Sequence, residues 1–179
     1  MNRFLIPLGV FVLLAAVLAI GIEHSPDKGL IASPLLGKPA PVFTLPNLTN
    51  PAQLVRSADL KGRWYLFNVW GTWCGECRAE HEELLQMRRA GTVPLIGLDW
   101  KDDDSQARAW LTQLGNPYDA VAVDASGREA IEWGVYGAPE SFLVNPQGIV
   151  VYKHIGALTQ ETWSKEILPR VSMAAASGS

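Results

Sequence analysis

The sequence predicts an α/β domain, a central sheet covered by helices on both faces. Short runs rich in branched and aromatic residues alternate with segments of helical spacing. A hairpin signal and a final helix close the chain, and Cys74 and Cys77 fall where one apolar run gives way to a helix. Of the 179 residues, about 140 remain once an apolar N-terminal run and a polar tail are set aside, enough for one core.

Val42-Phe43-Thr44-Leu45 is a candidate first strand, and Trp64 to Trp70 a buried one. Gly71 and Thr72 break that strand before a helix that runs to about Arg89, with Cys77, His81, Leu84, Leu85 and Arg88 on one face. Val93 to Leu98 is the next strand. Asp103 caps a second helix with Gln106 three residues on, and Ala107, Trp110, Leu111 and Leu114 form its buried stripe. Tyr118 to Val123 reads as a strand and Arg128 to Trp133 as a short helix. Ser141 to Val144 and Ile149 to Tyr152 flank Asn145-Pro146-Gln147-Gly148, a hairpin turn. Thr159 opens a last helix, which Pro169 is expected to stop near Leu168, leaving 172–179 as a flexible tail.

Phe4 to Ile22 carries no charge and follows Met1-Asn2-Arg3. Its 19 positions at ~1.5 Å each span about 28 Å, close to the thickness of a bilayer core. A transmembrane anchor over 1–22 is therefore expected, with Arg3 on the cytoplasmic side and the rest of the chain outside. The Ala19-Ile20-Gly21 step also suits a signal peptidase, so cleavage stays open. Residues 23–41, with Pro26, Pro34, Pro39, Pro41, Gly29 and Gly37, read as a linker to a domain over 42–171.

Fifteen basic against eighteen acidic residues leave no basic stripe, which argues against nucleic acid as a partner. Two cysteines are too few for a disulfide-rich scaffold and only half of a structural zinc site, so no metal is expected. Haem attachment would need histidine after the second cysteine, where Arg78 stands. A Cys-x-x-Cys pair at a strand-to-helix junction is a candidate redox site, because two thiols on one helical turn can close and reopen a disulfide. A purely structural disulfide is the competing reading.

Trp73-Cys74-x-x-Cys77 after an aromatic strand, with Gly137-Ala138-Pro139-Glu140 further on, resembles the thioredoxin fold, with a mixed central sheet flanked by helices. More narrowly, Cys77-Arg78-Ala79-Glu80-His81 and Gly134 to Glu140 resemble the CcmG/DsbE group, membrane-anchored thiol reductases of cytochrome c maturation. Ser33 to Pro41, Lys101-Asp102-Asp103 and Leu114 to Tyr118 also match, so the likeness runs from the anchor to about Arg170.

The resemblance implies that Cys74 is exposed at the helix start and attacks, while Cys77, one turn deeper, resolves the mixed disulfide. Unpaired N–H groups at that helix start favour a thiolate by roughly 0.3–1 kcal/mol. Glu76 and, by resemblance, Glu140 work against it: a carboxylate ~6 Å away at an effective dielectric of ~40 costs about 1.4 kcal/mol. Both would make the protein a reductant. Thioredoxin carries a buried aspartate where this chain has Asn68, so Glu80 is the first candidate and Glu140 the second for the proton of Cys77. Pro139 is expected to be cis beside Cys74. Ala138 would offer backbone groups to an extended substrate, and Trp73 would shield the thiol. His81 reads as a packing residue.

The implied activity is a thiol:disulfide oxidoreductase anchored by one span in a bacterial inner membrane, with its domain in the periplasm. It would reduce apocytochrome c or a thiol protein of cytochrome c maturation, be recharged by a DsbD- or CcdA-type membrane electron donor, and need no bound cofactor. A broader TlpA- or ResA-like reductase is one alternative, and a redox-independent module binding apocytochrome or haem is another.

Overall fold

The computed structural model describes residues 5–23 and 33–177. The sequence readings on Met1 to Phe4, Pro26 and Gly29 lie outside them. The chain divides into two compact units, 1–31 and 32–179. In the first, helix α1 (Leu5–Glu23) follows the apolar run. Its side chains are described at 7–18, where they are exposed; among the described residues no helix is long and apolar enough to cross a membrane.

In the second unit, strands β1 (Thr44–Pro46) and β2 (Leu54–Arg56) form a small antiparallel sheet, of which the sequence suggests only the first. A five-stranded sheet follows, built from β3 (Tyr65–Trp70), β4 (Leu95–Trp100), β5 (Ala120–Asp124), β6 (Glu140–Val144) and β7 (Val150–Ile155) in the order β5-β4-β3-β6-β7. The pairs β3–β4 and β4–β5 are parallel, while β3–β6 and β6–β7 are antiparallel. This is the mixed sheet that the resemblance implies.

Helices α2 (Gly75–Ala90), α3 (Asp104–Leu114) and α4 (Arg128–Glu132) connect the strands. Alternation along β3 sends Leu66 and Trp70 to a core shared with Cys77 and Leu84 of α2 and Leu111 of α3. Phe67 and Val69 face a second core with Ala130 of α4, Trp133 and Phe142. Both faces are therefore covered, and β3 is buried throughout. On α2 the buried face holds Glu80 and Met87 beside Cys77, His81 and Leu84, whereas Arg88 lies outside in an ion pair with Asp119. Asp103 caps α3 as expected, accepting from the amides of Ser105 and Gln106 at 2.9 and 3.0 Å.

Two expectations are corrected at the ends of this unit. Residues 33–41 are not a free tether. Gly37 N–H donates to Val150, Val150 N–H to Lys38, and Ala40 N–H to Gly148, so the segment lies along the start of β7. Asn47 likewise bridges Ala122, and Leu48 N–H donates to Val121 on β5. Nor does Pro169 end the last helix: α5 (Gln160–Thr162) passes through a π turn (Trp163–Ile167) into α6 (Leu168–Ser177), so 172–177 are helical. The wider turn changes the backbone pairing immediately before Pro169, which lets the helix continue past a residue that cannot donate.

Candidate active site

Strand β3 ends at Trp70, the chain turns through Gly71-Thr72-Trp73, and Cys74 is the N-cap of α2. Cys74 and Cys77 are joined in a disulfide with Cα atoms 5.3 Å apart, and the Cys77 amide donates to Cys74 Sγ at 3.1 Å. Cys74 is 5% exposed, not open to solvent as expected. Its Sγ lies 3.2 Å from the carbonyl oxygen of Ala138, so the loop before β6 covers it. The Ala138-Pro139 bond is cis, in agreement with the resemblance. A partner's sulfur must reach Cys74 past Ala138.

Trp73 is 53% exposed beside this pair. Its indole packs edge-on against Trp100 and donates to the Trp100 carbonyl at 3.1 Å. It also lies over Gly71, where a Cβ would come within 2.5 Å of the indole nitrogen. The indole is thus anchored to the end of β4, and its exposed part is left for a partner.

Glu80 is buried beneath the site, one turn along α2 from Cys77 and on the same face. Its Oε1 accepts from Asn68 Nδ2 at 3.0 Å and its Oε2 from the Leu158 amide at 2.7 Å. Burial raises its pKa to about 7 against the pull of these two donors, with help from the negative charge of Glu76. A carboxyl that titrates near neutrality can both accept and release a proton under working conditions. Asn68 continues the network by donating to Ser141 Oγ at 3.0 Å and accepting from Tyr118 Oη at 2.7 Å. No sequence signal marks Tyr118 or Ser141 as partners; a lone asparagine in an otherwise apolar strand is the one sign that buried partners are needed.

Glu140 does not join this network. It pairs in register with Val69, whereas Asn68 pairs with Ser141, so Glu140 projects from the sheet face opposite the one on which Asn68 meets Glu80. Glu140 Oε2 lies 2.7 Å from Lys153 Nζ, an ion contact buried at both ends. Lys153 also donates to the Gly134 carbonyl and sits over the Tyr136 ring. The charge expected to oppose the thiolate is therefore neutralised by a lysine. The other oxygen of Glu140 accepts from the Tyr136 amide at 3.3 Å, so the described contacts of this carboxyl lie with Lys153 and Tyr136 and not with the Asn68–Glu80 network.

His81 is a packing residue, as read from the sequence. Its Nε2 lies 3.0 Å from the Gly115 carbonyl, its Nδ1 accepts from Trp110 at 3.2 Å, and burial lowers its pKa. That tautomer is neutral.

At the end of β4, Asp99 is buried with both carboxyl oxygens lacking a hydrogen-bond partner among the described residues. Burial, and then the nearby Asp102, raise its pKa to about 8.

A family model described as Redoxin matches residues 35–168. A thiol:disulfide interchange protein DsbE from Allochromatium vinosum is 45% identical over 171 residues, covering 96% of this chain and 93% of its own length. DsbE of Pseudomonas aeruginosa is 43% identical, covering 92% of this chain and 90% of its own. Among solved structures, a protein described as a thiol:disulfide interchange protein DsbE from Chlorobium tepidum superposes with a TM-score of 0.64. It has 29% identity and covers 78% of this chain and 96% of its own. A secreted thiol-disulfide isomerase from Corynebacterium glutamicum, at 22% identity and a TM-score of 0.68 (83% and 96% covered), shares the fold.

Proposed function

This chain belongs to the Redoxin family and, within it, to the DsbE thiol:disulfide interchange proteins, and from that premise we propose that it is a membrane-anchored reductant of cytochrome c maturation. It is a thiol:disulfide oxidoreductase whose redox pair is Cys74 and Cys77. In the proposed cycle the reduced Cys74 thiolate attacks a partner disulfide, forming a mixed disulfide and releasing one partner thiolate. Cys77 then attacks Cys74 Sγ, closing the intramolecular disulfide and releasing the second partner thiol. The partner gains two electrons and the pair loses two.

The observation that carries this reading is the buried Glu80 behind Cys77. Cys77 must lose its proton to attack, and Glu80, with a pKa of about 7, stands one turn away on the same helix face. Trp73, Ala138 and Pro139 would receive the partner chain, with the Ala138 backbone pairing to an extended segment. The substrate would be the cysteine pair of apocytochrome c or a dedicated thiol protein, and the electrons would come from a DsbD- or CcdA-type membrane donor. The uncharged Phe4 to Ile22 run supports a single inner-membrane span with the domain in the periplasm, where a disulfide persists.

Trapping on Cys77→Ser, which cannot resolve the mixed disulfide, tests the assignment. Recovery of c-type apocytochromes or a single maturation thiol protein supports it. Many unrelated thiol proteins would point to the broader TlpA- or ResA-like reductase. Full cytochrome maturation by a Cys74→Ser, Cys77→Ser double variant would replace it with a redox-independent binding module. With Glu140 neutralised, the electrostatic bias toward reduction rests on exposed Glu76. Glu76→Gln should make the potential less negative by up to about 30 mV, read by equilibration with glutathione.

A further inference from the structure

Among the described residues Lys153 is the one buried lysine, and the sulfur chemistry makes no use of it. It stands on β7 in register with Phe142 of β6, so its side chain shares a sheet face with Phe142 and with Glu140 two residues earlier. Its Nζ lies 5.1 Å from the centre of the Phe142 ring, which packs edge-on against Trp133 in the core. Burying two charges gains little over an apolar pair of the same volume, so stability alone does not account for this lysine.

What Lys153 holds is the segment that covers the sulfur. Nζ donates to the Gly134 carbonyl at 3.0 Å, just past α4, and lies 4.6 Å from the centre of the Tyr136 ring. Its ion partner Glu140 grips the same segment: Oε2 meets Nζ at 2.7 Å, and Oε1 accepts from the Tyr136 amide at 3.3 Å. Of the Tyr136, Gly137 and Ala138 amides, that of Tyr136 alone has an acceptor among the described residues, so the next two are left for a partner. Ala138 stands two residues beyond Tyr136, at most about 7.6 Å between Cα atoms. Its carbonyl lies 3.2 Å from Cys74 Sγ.

We propose that Lys153 is a positioning residue: through Gly134, Tyr136 and Glu140 it fixes the Ala138 backbone where an extended partner pairs with it, and so lowers the partner concentration needed for reaction at Cys74. Without the lysine, the segment from Gly134 to Ala138 loses its tie to β7, and a partner must order that backbone as it binds. The cysteines themselves sit on α2, across the sheet from Lys153, and keep their geometry. A disulfide too small to pair with Ala138 therefore gains nothing from the lysine. The inference rests on the reading that Ala138 pairs with an extended partner, and not on which protein that partner is.

The test mixes the reduced full chain, in detergent micelles, with a synthetic peptide carrying a Cys-x-x-Cys disulfide or with hydroxyethyl disulfide, which has no peptide backbone. Each takes two electrons from Cys74 and Cys77, and the protein thiols lost are counted by alkylation after rapid quench. In the Glu140→Gln, Lys153→Met double variant the half-saturating peptide concentration should rise about fivefold, the worth of one hydrogen bond, with the limiting rate held within about twofold. Its rate with hydroxyethyl disulfide should match that of the wild type. Equal losses on both substrates, or no loss on either, overturn the proposal. In the wild type the Tyr136 amide should exchange with deuterium more slowly than that of Gly137; equal exchange overturns the proposal even where the double variant does not fold. A peptide N-methylated on both sides of its first cysteine that reacts as well as the plain one would instead sink the pairing at Ala138, leaving the Tyr136 protection intact. A wild type that reduces neither substrate would sink the oxidoreductase assignment.

Discussion

Glu80 and Glu140 look alike in the sequence, as acids near a cysteine pair, and differ through what surrounds them. Glu80 has two neutral donors and a pKa of about 7, so it can exchange a proton. Glu80→Gln should slow resolution of the mixed disulfide by roughly 10²-fold and remove the inflection near pH 7 from its rate, measured by stopped-flow as release of the partner thiol with both cysteines present. Glu140 is spent on Lys153. Glu140→Gln leaves a buried lysine unpaired and should cost about 3–5 kcal/mol in urea denaturation, while a Glu140→Gln, Lys153→Met double variant recovers most of that loss. Equal losses in the single and double variants would refute the pairing. Cys74, Cys77, Glu80 and Pro139 were readable as a site because the motif orders them along the chain. Lys153 and Tyr118 were not, since each acquires its role from a neighbour on a different strand.

At the scale of elements, local signals worked where the deciding contacts lie within a few residues. The Asp103 cap, the Asn145 to Gly148 turn and the break after Trp70 are of this kind. Asp103→Ala should therefore lower the thermal midpoint, because the amides of Ser105 and Gln106 lose their acceptor. Signals failed where packing overrode propensity. Pro169 signals a stop, yet a π turn carries the helix past it. Gly97 gives no sequence hint of its use. A Cβ there would come within 2.9 Å of Trp70 Nε1 and 3.0 Å of the Tyr118 ring. Gly97→Ala should cost roughly 1–3 kcal/mol and shift the Tyr118 ring resonances, because Tyr118 must move to admit the methyl group.

For the whole molecule, buried acids set an unusual pH dependence. Glu80 and Asp99 keep protons to about pH 7 and about pH 8, whereas the unfolded chain releases them near its ordinary values of 4.5 and 3.8. Between those limits the folded state binds more protons than the unfolded one, so stability falls as pH rises through that window. Urea midpoints of the oxidised protein should drop between about pH 5 and about pH 8.5, and a Glu80→Gln, Asp99→Asn double variant should flatten the curve. A midpoint that climbs over this range would contradict the burial of both groups. The order of strands and helices was legible along the chain, because alternation and periodicity are local. How the N-terminal segment is used was not: residues read as a tether pair with strands more than seventy positions away.

That pairing has a consequence for how the protein avoids sticking to itself. Lys38 to Ala40 lie against the opening of one border strand, and Asn47 and Leu48 against the other, so a single stretch of chain masks both rims of the sheet. Exposed rims recruit foreign strands. A shortened version beginning at Asn50 would keep its cysteines and lose both covers. Light scattering should show it forming oligomers at concentrations where the full chain stays dispersed.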